Sequence, residues 1–190
     1  MTSNLKIAIR FTLITTVLLG IIYPLLVTAF AHLTMPSKAD GQLIVRDGKV
    51  IGSEIIGQNF TGDTYFHSRP SAAGNGYDAA NSSGSNYAQS NKKLVDRIQG
   101  DVATYQKTEP GKPVPIDLVT TSGSGLDPDI SPAAALYQVH RVAMARHLSD
   151  ASVETLVQTH MQGRQFGILG EPRVNVLELN LALDDAASQH

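Results

Sequence analysis

Residues 11–33, FTLITTVLLGIIYPLLVTAFAHL, decide how the rest of the chain is interpreted. These 23 positions contain no Lys, Arg, Asp or Glu. An α-helix of that length spans roughly 34 Å at about 1.5 Å per residue, and the hydrocarbon core of a bilayer is about 30 Å thick. The sequence therefore predicts a helix that crosses a membrane.

A cleaved secretory signal is the competing interpretation of this segment. Lys6 and Arg10 would form its basic region, and residues 29–31 resemble a small-x-small cleavage site. The apolar run is longer than the roughly 7–15 residues of a signal peptide, which favours a permanent anchor. Small or helix-perturbing residues recur every four positions, as at contacts between membrane helices, although such residues are also common in membrane helices generally. They are Thr12, Thr16, Gly20, Pro24 and Thr28.

The positions of basic residues predict the orientation. Lys6 and Arg10 precede the apolar segment, whereas Lys38 and Arg46 follow it at a short distance. The positive-inside rule favours a cytoplasmic N-terminus, although by a narrow margin. We therefore expect residues 1–10 in the cytoplasm, residues 11–33 across the membrane as a single pass, and residues 34–190 as one domain on the outer side.

The composition of residues 34–190 limits the classes of partner. This part holds 13 of the 15 basic residues and all 17 acidic residues, so its net charge is −4. That balance gives no basic stripe and argues against binding of nucleic acid. Its 157 residues are enough for one domain with one core. The absence of cysteine is compatible with either compartment.

The first half of this domain combines a hairpin with a long loop. Residues 43–51 predict two strands around the turn Asp47–Gly48, and residues 54–57 could prolong the second strand. Residues 59–90 show no apolar periodicity. A loop of this length is usually a binding element or disordered, and the aromatic residues in it favour an ordered loop used for contact. They are Phe60, Tyr65, Phe66, Tyr77 and Tyr87.

The second half is predicted to be mostly helical, which makes the fold class α+β. A helix begins at Ser90 and ends at residues 110–113, a short strand covers residues 116–120, and a loop covers residues 121–130. Ser131 caps a helix over residues 133–148 that has Pro132 in its first position.

The faces of that helix are assigned from its spacing. The predicted inner face carries Leu136, Val139, Ala143 and Met144, and the other side offers Gln138, Arg141 and His147.

Two further elements complete the chain. A helix from Ser149 or Ser152 contains Val153, Leu156, Val157 and Met161 and ends at Gly163. Residues 174–183 alternate like a strand, but their Leu, Glu and Ala content favours a helix capped by Asn175.

Few residue patterns indicate chemistry. The six histidines are scattered without metal-ligand spacing. Ser90 and Lys93 match the Ser-x-x-Lys pattern of extracytoplasmic acyl-transfer enzymes, but the accompanying Ser-Asp-Asn and Lys-Thr-Gly motifs are missing, and a helix cap equally explains Ser90. Backbone N–H groups of residues 122–125 could bind an anion such as phosphate, which the nearby Asp127 and Asp129 oppose.

Many blocks along nearly the whole chain resemble the C subunit of the bacterial Kdp potassium-transporting ATPase. Their number and common order make the resemblance far more specific than a single motif. The blocks include residues 23–26 (YPLL), 56–60 (IGQNF), 65–72 (YFHSRPSA), 83–86 (SGSN), 117–120 (DLVT), 122–127 (SGSGLD), 130–132 (ISP), 170–176 (GEPRVNV) and 179–183 (LNLAL), together with Gln138 and residues 141–143 and 145–146.

The resemblance implies a non-catalytic accessory subunit of a potassium uptake pump in the inner membrane. Its partners would be a channel-like subunit that binds potassium and a P-type ATPase subunit that hydrolyses ATP. It would assist assembly of the complex and act as a catalytic chaperone that raises ATP affinity. The resemblance assigns contacts with ATP to Ser122, Gly123, Ser124, Gly125 and Gln138.

The expected orientation and these ATP contacts exclude each other in their simplest form, because a periplasmic domain does not meet cytoplasmic ATP. Since the physics of translocation constrains orientation, we give it precedence. The physically preferred hypothesis places the domain on the outer face of the channel-like subunit, with residues 59–90 in contact.

Overall fold

The structure, a computed structural model, describes residues 2–187. The chain divides into two units, of which the first ends at Ile51 and the second begins at Gly52. The first contains a long apolar helix and the second a mixture of helices and short strands. The predicted α+β class with one N-terminal helix is therefore confirmed.

The long helix runs from Thr2 to Thr34, and among the described residues it is the one helix long and apolar enough to cross a membrane. It consists of α1 (Thr2–Val17), a π-helical turn (Leu18–Ile22) and α2 (Tyr23–Thr34). The Tyr23 N–H donates to the carbonyl of Leu18, five residues back. Because Pro24 has no N–H for the carbonyl of Gly20, the helix interior needs a local adjustment at this point, and the π turn provides it.

A short helix and a hairpin follow the long helix along the chain. Helix α3 (Pro36–Ala39) occupies most of the predicted linker. Strands β1 (Leu43–Arg46) and β2 (Lys49–Ser53) confirm the predicted hairpin. Asp47 and Gly48 both have positive φ, 52° and 74°, as a type I′ turn requires.

The predicted continuation of the second strand through residues 54–57 is wrong. The Ile56 N–H donates to the carbonyl of Ser53, so the chain turns back immediately after β2. Gly57 then approaches the backbone of Asp127 so closely that a Cβ atom would lie 2.5 Å from that carbonyl oxygen. The segment is therefore fixed against the second unit's own loop.

Within the described residues, the second unit contains four α-helices and a three-stranded antiparallel sheet of order β3-β5-β4, with two of the helices against its central strand. In the sheet, Ile130 and Met161 both pair with Val174 of the central strand. Single 3₁₀ turns lie at Ala79–Asn81 and Ile116–Leu118. The main elements are α4 (Lys92–Thr108), β3 (Asp129–Ile130), α5 (Pro132–Arg146), α6 (Asp150–Thr159), β4 (Met161–Gln162), β5 (Arg173–Asn175) and α7 (Val176–Ala187).

Helix α5 lies at the centre of the core, but not with the face that its spacing predicted. Leu136 and Met144 are 40% and 66% exposed, whereas Gln138 and Arg141 are buried. Most of the buried apolar residues of this helix are small, which lets α6 approach closely. These are Ala134, Ala135, Val139, Val142 and Ala143. The spacing of apolar residues therefore predicted the inner face correctly at Val139 and Ala143 and wrongly at Leu136 and Met144.

The helix caps show where local sequence signals hold. The Ser131 hydroxyl accepts from the Ala134 N–H, and the Asn175 side chain accepts from the Glu178 N–H, so both predicted caps are confirmed. Of the helix predicted over residues 174–183, residues 176–183 are helical, whereas residues 174 and 175 belong to strand β5. The start at Ser90 is wrong, because Asn91 caps α4 by accepting from the Lys93 N–H at 2.9 Å.

Two other boundaries also differ from their predictions. Residues 116–118 form a 3₁₀ turn instead of a strand, and the Asp117 carboxylate of that turn accepts from the Ser131 N–H at 2.7 Å. Helix α6 begins after its cap Ser149 and ends at Thr159, before Gly163, because residues 161 and 162 are drawn into pairing with β5.

Candidate functional site

Two buried side-chain amides fasten the loop of residues 59–77 to the core. The Asn180 carboxamide accepts from the Phe66 N–H at 2.8 Å and donates to the Phe66 carbonyl at 3.0 Å. The Gln138 carboxamide does the same for His67, at 2.8 and 3.1 Å. Each amide pairs with both backbone groups of one loop residue, as a neighbouring β-strand would. Phe66 is thus held by α7 and His67 by α5. Phe66 is fully buried as a result.

Two arginines extend this attachment. The Arg141 guanidinium donates to the carbonyls of Asp63 and Tyr65, at 2.7 and 3.0 Å, and to the Gln138 side chain at 2.7 Å. Arg146 lies 4.7 Å from the centre of the Tyr65 ring and forms an ion pair with Asp184 at 2.8 Å. Burial lowers the pKa of Arg141, which forms no ion pair within residues 2–187. Its charge is stabilised mainly by loop carbonyls, so it ties the loop conformation to α5.

A cleft of about 450 Å³ lies between this loop, α4 and α5. Its walls combine Phe60, Tyr77 and Tyr105 with the charged side chains of Asp63 and Asp101. Burial raises the pKa of Tyr105 to about 12 and raises that of Asp101.

Several polar groups of the cleft already have partners within the chain. The Tyr77 hydroxyl donates to the carbonyl of Arg69, and the Ser71 hydroxyl to that of Gly125. Burial lowers the pKa of His67, and the neighbouring Arg141 lowers it further. The cleft therefore mainly marks where the loop packs against α4 and α5.

The serine-glycine loop, residues 122–125, adjoins the cleft through the hydrogen bond between Ser71 and Gly125. Its serine hydroxyls accept from the loop's own backbone, Ser122 from the Gly125 N–H at 2.9 Å and Ser124 from the Leu126 N–H at 3.1 Å. Gly125 has a φ of 67°, and a Cβ atom there would lie 2.6 Å from the carbonyl of Ser83. The glycine is thus required by backbone packing as well as by its left-handed conformation.

The residues to which the resemblance assigns ATP do not all line one depression. Ser122, Gly123 and Ser124 line a shallow depression with Arg69 and Asp127, and Gln138 is not part of it. Gln138 is 1% exposed, and its amide oxygen and nitrogen each have two partners in the chain. Direct contact of either group with ATP stays a prediction.

The remaining chemical patterns are at the surface. Ser90 and Lys93 are both exposed at the start of α4, so nothing desolvates the lysine as activation of a serine would require. Within residues 2–187, no three His, Cys, Asp or Glu side chains are grouped as ligands for a metal ion. The acyl-transfer interpretation gains no support from this geometry.

Sequence reasoning missed the residues that fasten the loop. Asn180 lies between Leu179 and Leu181 in an otherwise apolar stretch, and a polar residue on a buried helix face requires a partner. That position was the available signal. The loop's buried residues, Phe66 and Ala73, lie in a segment without periodicity and carried no comparable signal.

An N-terminal helix that is long and apolar enough to cross a membrane, followed by an α+β unit with a long loop fastened over its core, is consistent with a membrane-anchored subunit. The chain belongs to the family described as K+-transporting ATPase, c chain, whose model matches residues 5–185.

Curated relatives agree over nearly the whole length. A protein of Koribacter versatilis is 57% identical over 184 residues, which cover 97% of this chain and 95% of the relative. A protein of Acidobacterium capsulatum is 54% identical, with 96% and 98% covered, and one of Methylorubrum extorquens is 49% identical, with both chains covered completely. Each is described as a potassium-transporting ATPase KdpC subunit.

Proposed function

We propose that this chain is an accessory subunit of a potassium-transporting ATPase complex in the bacterial inner membrane. Its role is to assist assembly and to raise the ATP affinity of the hydrolysing subunit. The observation that carries this proposal is the match with relatives of that description over nearly the whole of both chains, up to 57% identity. Its partners are a channel-like subunit that binds potassium and a P-type ATPase subunit.

The chain contributes no catalytic site of its own in this proposal. Support comes from the use of its buried polar side chains, since Gln138, Arg141 and Asn180 all bond to the loop of residues 59–77. Such a domain presents a fixed surface to a partner. A fixed surface suits a subunit that stabilises one arrangement of a larger assembly.

The proposed orientation has the N-terminus in the cytoplasm and residues 34–190 in the periplasm, with Lys6 and Arg10 as the retained basic flank. ATP affinity is then changed through the conformation of the complex. Linkage permits this, because a subunit that binds the ATP-binding conformation more tightly raises the apparent affinity for ATP. The geometry of Gln138, buried and bonded to the loop, supports such an indirect effect.

The experiment is co-purification from mild detergent through a C-terminal tag, followed by mass identification. We expect the two large subunits in the eluate and a higher apparent KM for ATP in complex made without this chain. A chain that elutes without other pump subunits would contradict the subunit proposal. An unchanged KM would contradict only the effect on ATP.

A further inference from the structure

The turn between β4 and β5 presents large apolar side chains to solvent. Phe166, Ile168 and Leu169 are 84%, 75% and 54% exposed, within four consecutive positions. We call residues 165–169 the apolar turn. Exposed apolar side chains are ordinary when scattered singly, but a cluster of this kind marks a contact surface.

The apolar turn is held in one conformation by its own backbone. The Gln165 N–H donates to the carbonyl of Leu169 at 2.8 Å, and the Leu169 N–H donates back at 2.9 Å. At its base, Arg164 contacts both carboxylate oxygens of Glu171, at 2.7 and 2.6 Å. A rigid turn loses little conformational entropy on binding, so it is suited to insertion into a preformed pocket.

The backbone at Phe166 gives a second, independent observation. Its φ is 55°, in the left-handed region that favours glycine, and Gly167 beside it has a φ of 77°. An aromatic residue in that region is strained, and such strain is found mostly where function requires a particular side chain. Conformational preference alone would favour glycine or asparagine at this position.

The charges around the turn identify the kind of partner. Arg164 is paired with Glu171, and Arg173 is paired with Asp129 at 2.9 Å. These basic residues of the rim are therefore neutralised within the chain. Unpaired basic residues strengthen adsorption to an anionic bilayer, whereas Arg164 and Arg173 are both paired within the chain. A neutral rim around an apolar tip matches the composition of a protein–protein contact, with an apolar centre and a polar edge.

We propose that the apolar turn inserts Phe166 and Ile168 into an apolar pocket on another subunit of the potassium-transporting ATPase. This inference rests on the proposed function and adds to it the surface by which the chain is held. Phe166 and Ile168 act as anchors, while Arg164 and Glu171 form the polar edge of the contact.

Photo-crosslinking in the assembled complex tests the contact directly. A photoreactive amino acid at position 168 is expected to give an adduct with another pump subunit. The matched control is position 116, because Ile116 is also 75% exposed but lies at the 3₁₀ turn before β3. Adducts with lipid would assign the turn to the bilayer, and adducts with a second copy would assign it to self-association. Either result, or equal yields at the two positions, overturns the proposal.

Retention in the complex gives the second test. Ile168→Asp is expected to reduce at least tenfold the amount of this chain that co-purifies with the other subunits, as removal of a central anchor does. Ile116→Asp is expected to leave that amount unchanged. Phe166→Gly is expected to weaken retention although it relieves the left-handed strain, so the Tm of this variant should equal or exceed that of the parent. If the complex assembles and both turn variants co-purify with it as well as the parent does, the proposed role of the apolar turn is wrong and the proposed function stands. A parent chain that assembles with no subunit contradicts the proposed function as well.

Discussion

Two loops of the second unit are built in opposite ways. The loop of residues 59–77 turns Phe66 inward and is fastened to α5 and α7 by Gln138, Arg141 and Asn180. The apolar turn points Phe166 outward and is held by hydrogen bonds between its own backbone groups. The first loop depends on the domain for its shape, and the second does not.

This difference separates residues that maintain the fold from residues available to a partner. A side chain that bonds buried backbone cannot be removed without leaving those groups unpaired, so its substitution affects stability first. A side chain on a self-contained exposed turn contributes little to folding, so its substitution affects binding first. Matched substitutions in the two loops test this separation.

The two phenylalanines give the largest expected difference. Phe66→Ala removes a fully buried ring and should lower the free energy of unfolding by about 3–5 kcal/mol. Phe166→Ala removes a ring that is 84% exposed and should change it by less than about 0.5 kcal/mol. Urea unfolding of the two variants measures both values. Similar losses would show that the apolar turn also belongs to the core.

Deleting the whole loop is a poorer experiment than these point substitutions. Residues 59–90 include the buried Phe66 and Ala73, so their removal would damage the core as well as any contact with a partner. Loss of assembly by such a deletion variant would therefore not distinguish the two causes.

The two glutamines should show the next largest difference. Gln138→Ala leaves the N–H and carbonyl of His67 without their partners and should lower the free energy of unfolding by about 2–3 kcal/mol. Gln165→Ala alters an exposed side chain and keeps the backbone bonds of the turn, so its effect should stay within about 0.5 kcal/mol. Chemical unfolding followed by circular dichroism compares them.

Gln138 also distinguishes direct from indirect effects on ATP. Asn180 holds Phe66 as Gln138 holds His67, but the resemblance assigns no nucleotide contact to Asn180. If the loop carries the effect, Gln138→Ala and Asn180→Ala should both raise the apparent KM for ATP in the assembled complex. An effect of Gln138→Ala alone would instead favour direct contact.

The two arginines should differ by a smaller amount. Arg141→Ala removes charge-assisted bonds to the carbonyls of Asp63 and Tyr65 and should lower the free energy of unfolding by about 1.5–3 kcal/mol. Arg164→Ala removes an exposed pair with Glu171, for which about 0–1 kcal/mol is expected. Repeating the unfolding in high salt should reduce only the Arg164 value. A large, salt-independent loss for Arg164→Ala would contradict the self-contained turn.

The sequence predicted elements whose signals are local. Ser131 with Pro132 and Asn175 mark helix starts because the caps act within three residues, and Asp47–Gly48 fixes a turn by its own backbone preference. The apolar helix at the N-terminus needed only length and composition.

The sequence did not predict which polar residues lie inside. The Gln138 and Arg141 positions on α5 look solvent-facing by spacing, and only the loop's backbone groups, supplied from more than 70 positions away, make their burial favourable. Hydrogen-bond partners that come from so far along the chain cannot be predicted from a local sequence pattern. The apolar turn was missed for a related reason, because Phe166 and Ile168 lie among glycines in a segment too short to show periodicity.

The smallest expected effect is a dependence of stability on pH that comes from His67. Burial and Arg141 lower its pKa in the folded chain below the ordinary value of 6.5, and the hydrogen bond to Gly62 and the charge of Asp63 oppose this only partly. Well above pH 6.5 the ring is neutral in both the folded and unfolded states, so the contribution of His67 is complete there. As the pH falls below 6.5, the unfolded chain binds a proton first, and the free energy of unfolding decreases until the folded pKa is reached.

Subtracting a His67→Gln variant isolates this contribution from the carboxyl groups of Asp101, Asp129 and Glu178, whose pKa values burial raises. The advantage of the parent over the variant should be larger at about pH 7.5 than at about pH 5.5, and Phe166→Ala should leave this difference intact, since the apolar turn contains no histidine. An advantage that grows at the lower pH would mean that Asp63 stabilises a protonated His67 more strongly than burial opposes it. The loop would then be held by a charge pair, and its inward-facing side chains would no longer contrast with the apolar turn in the way described above.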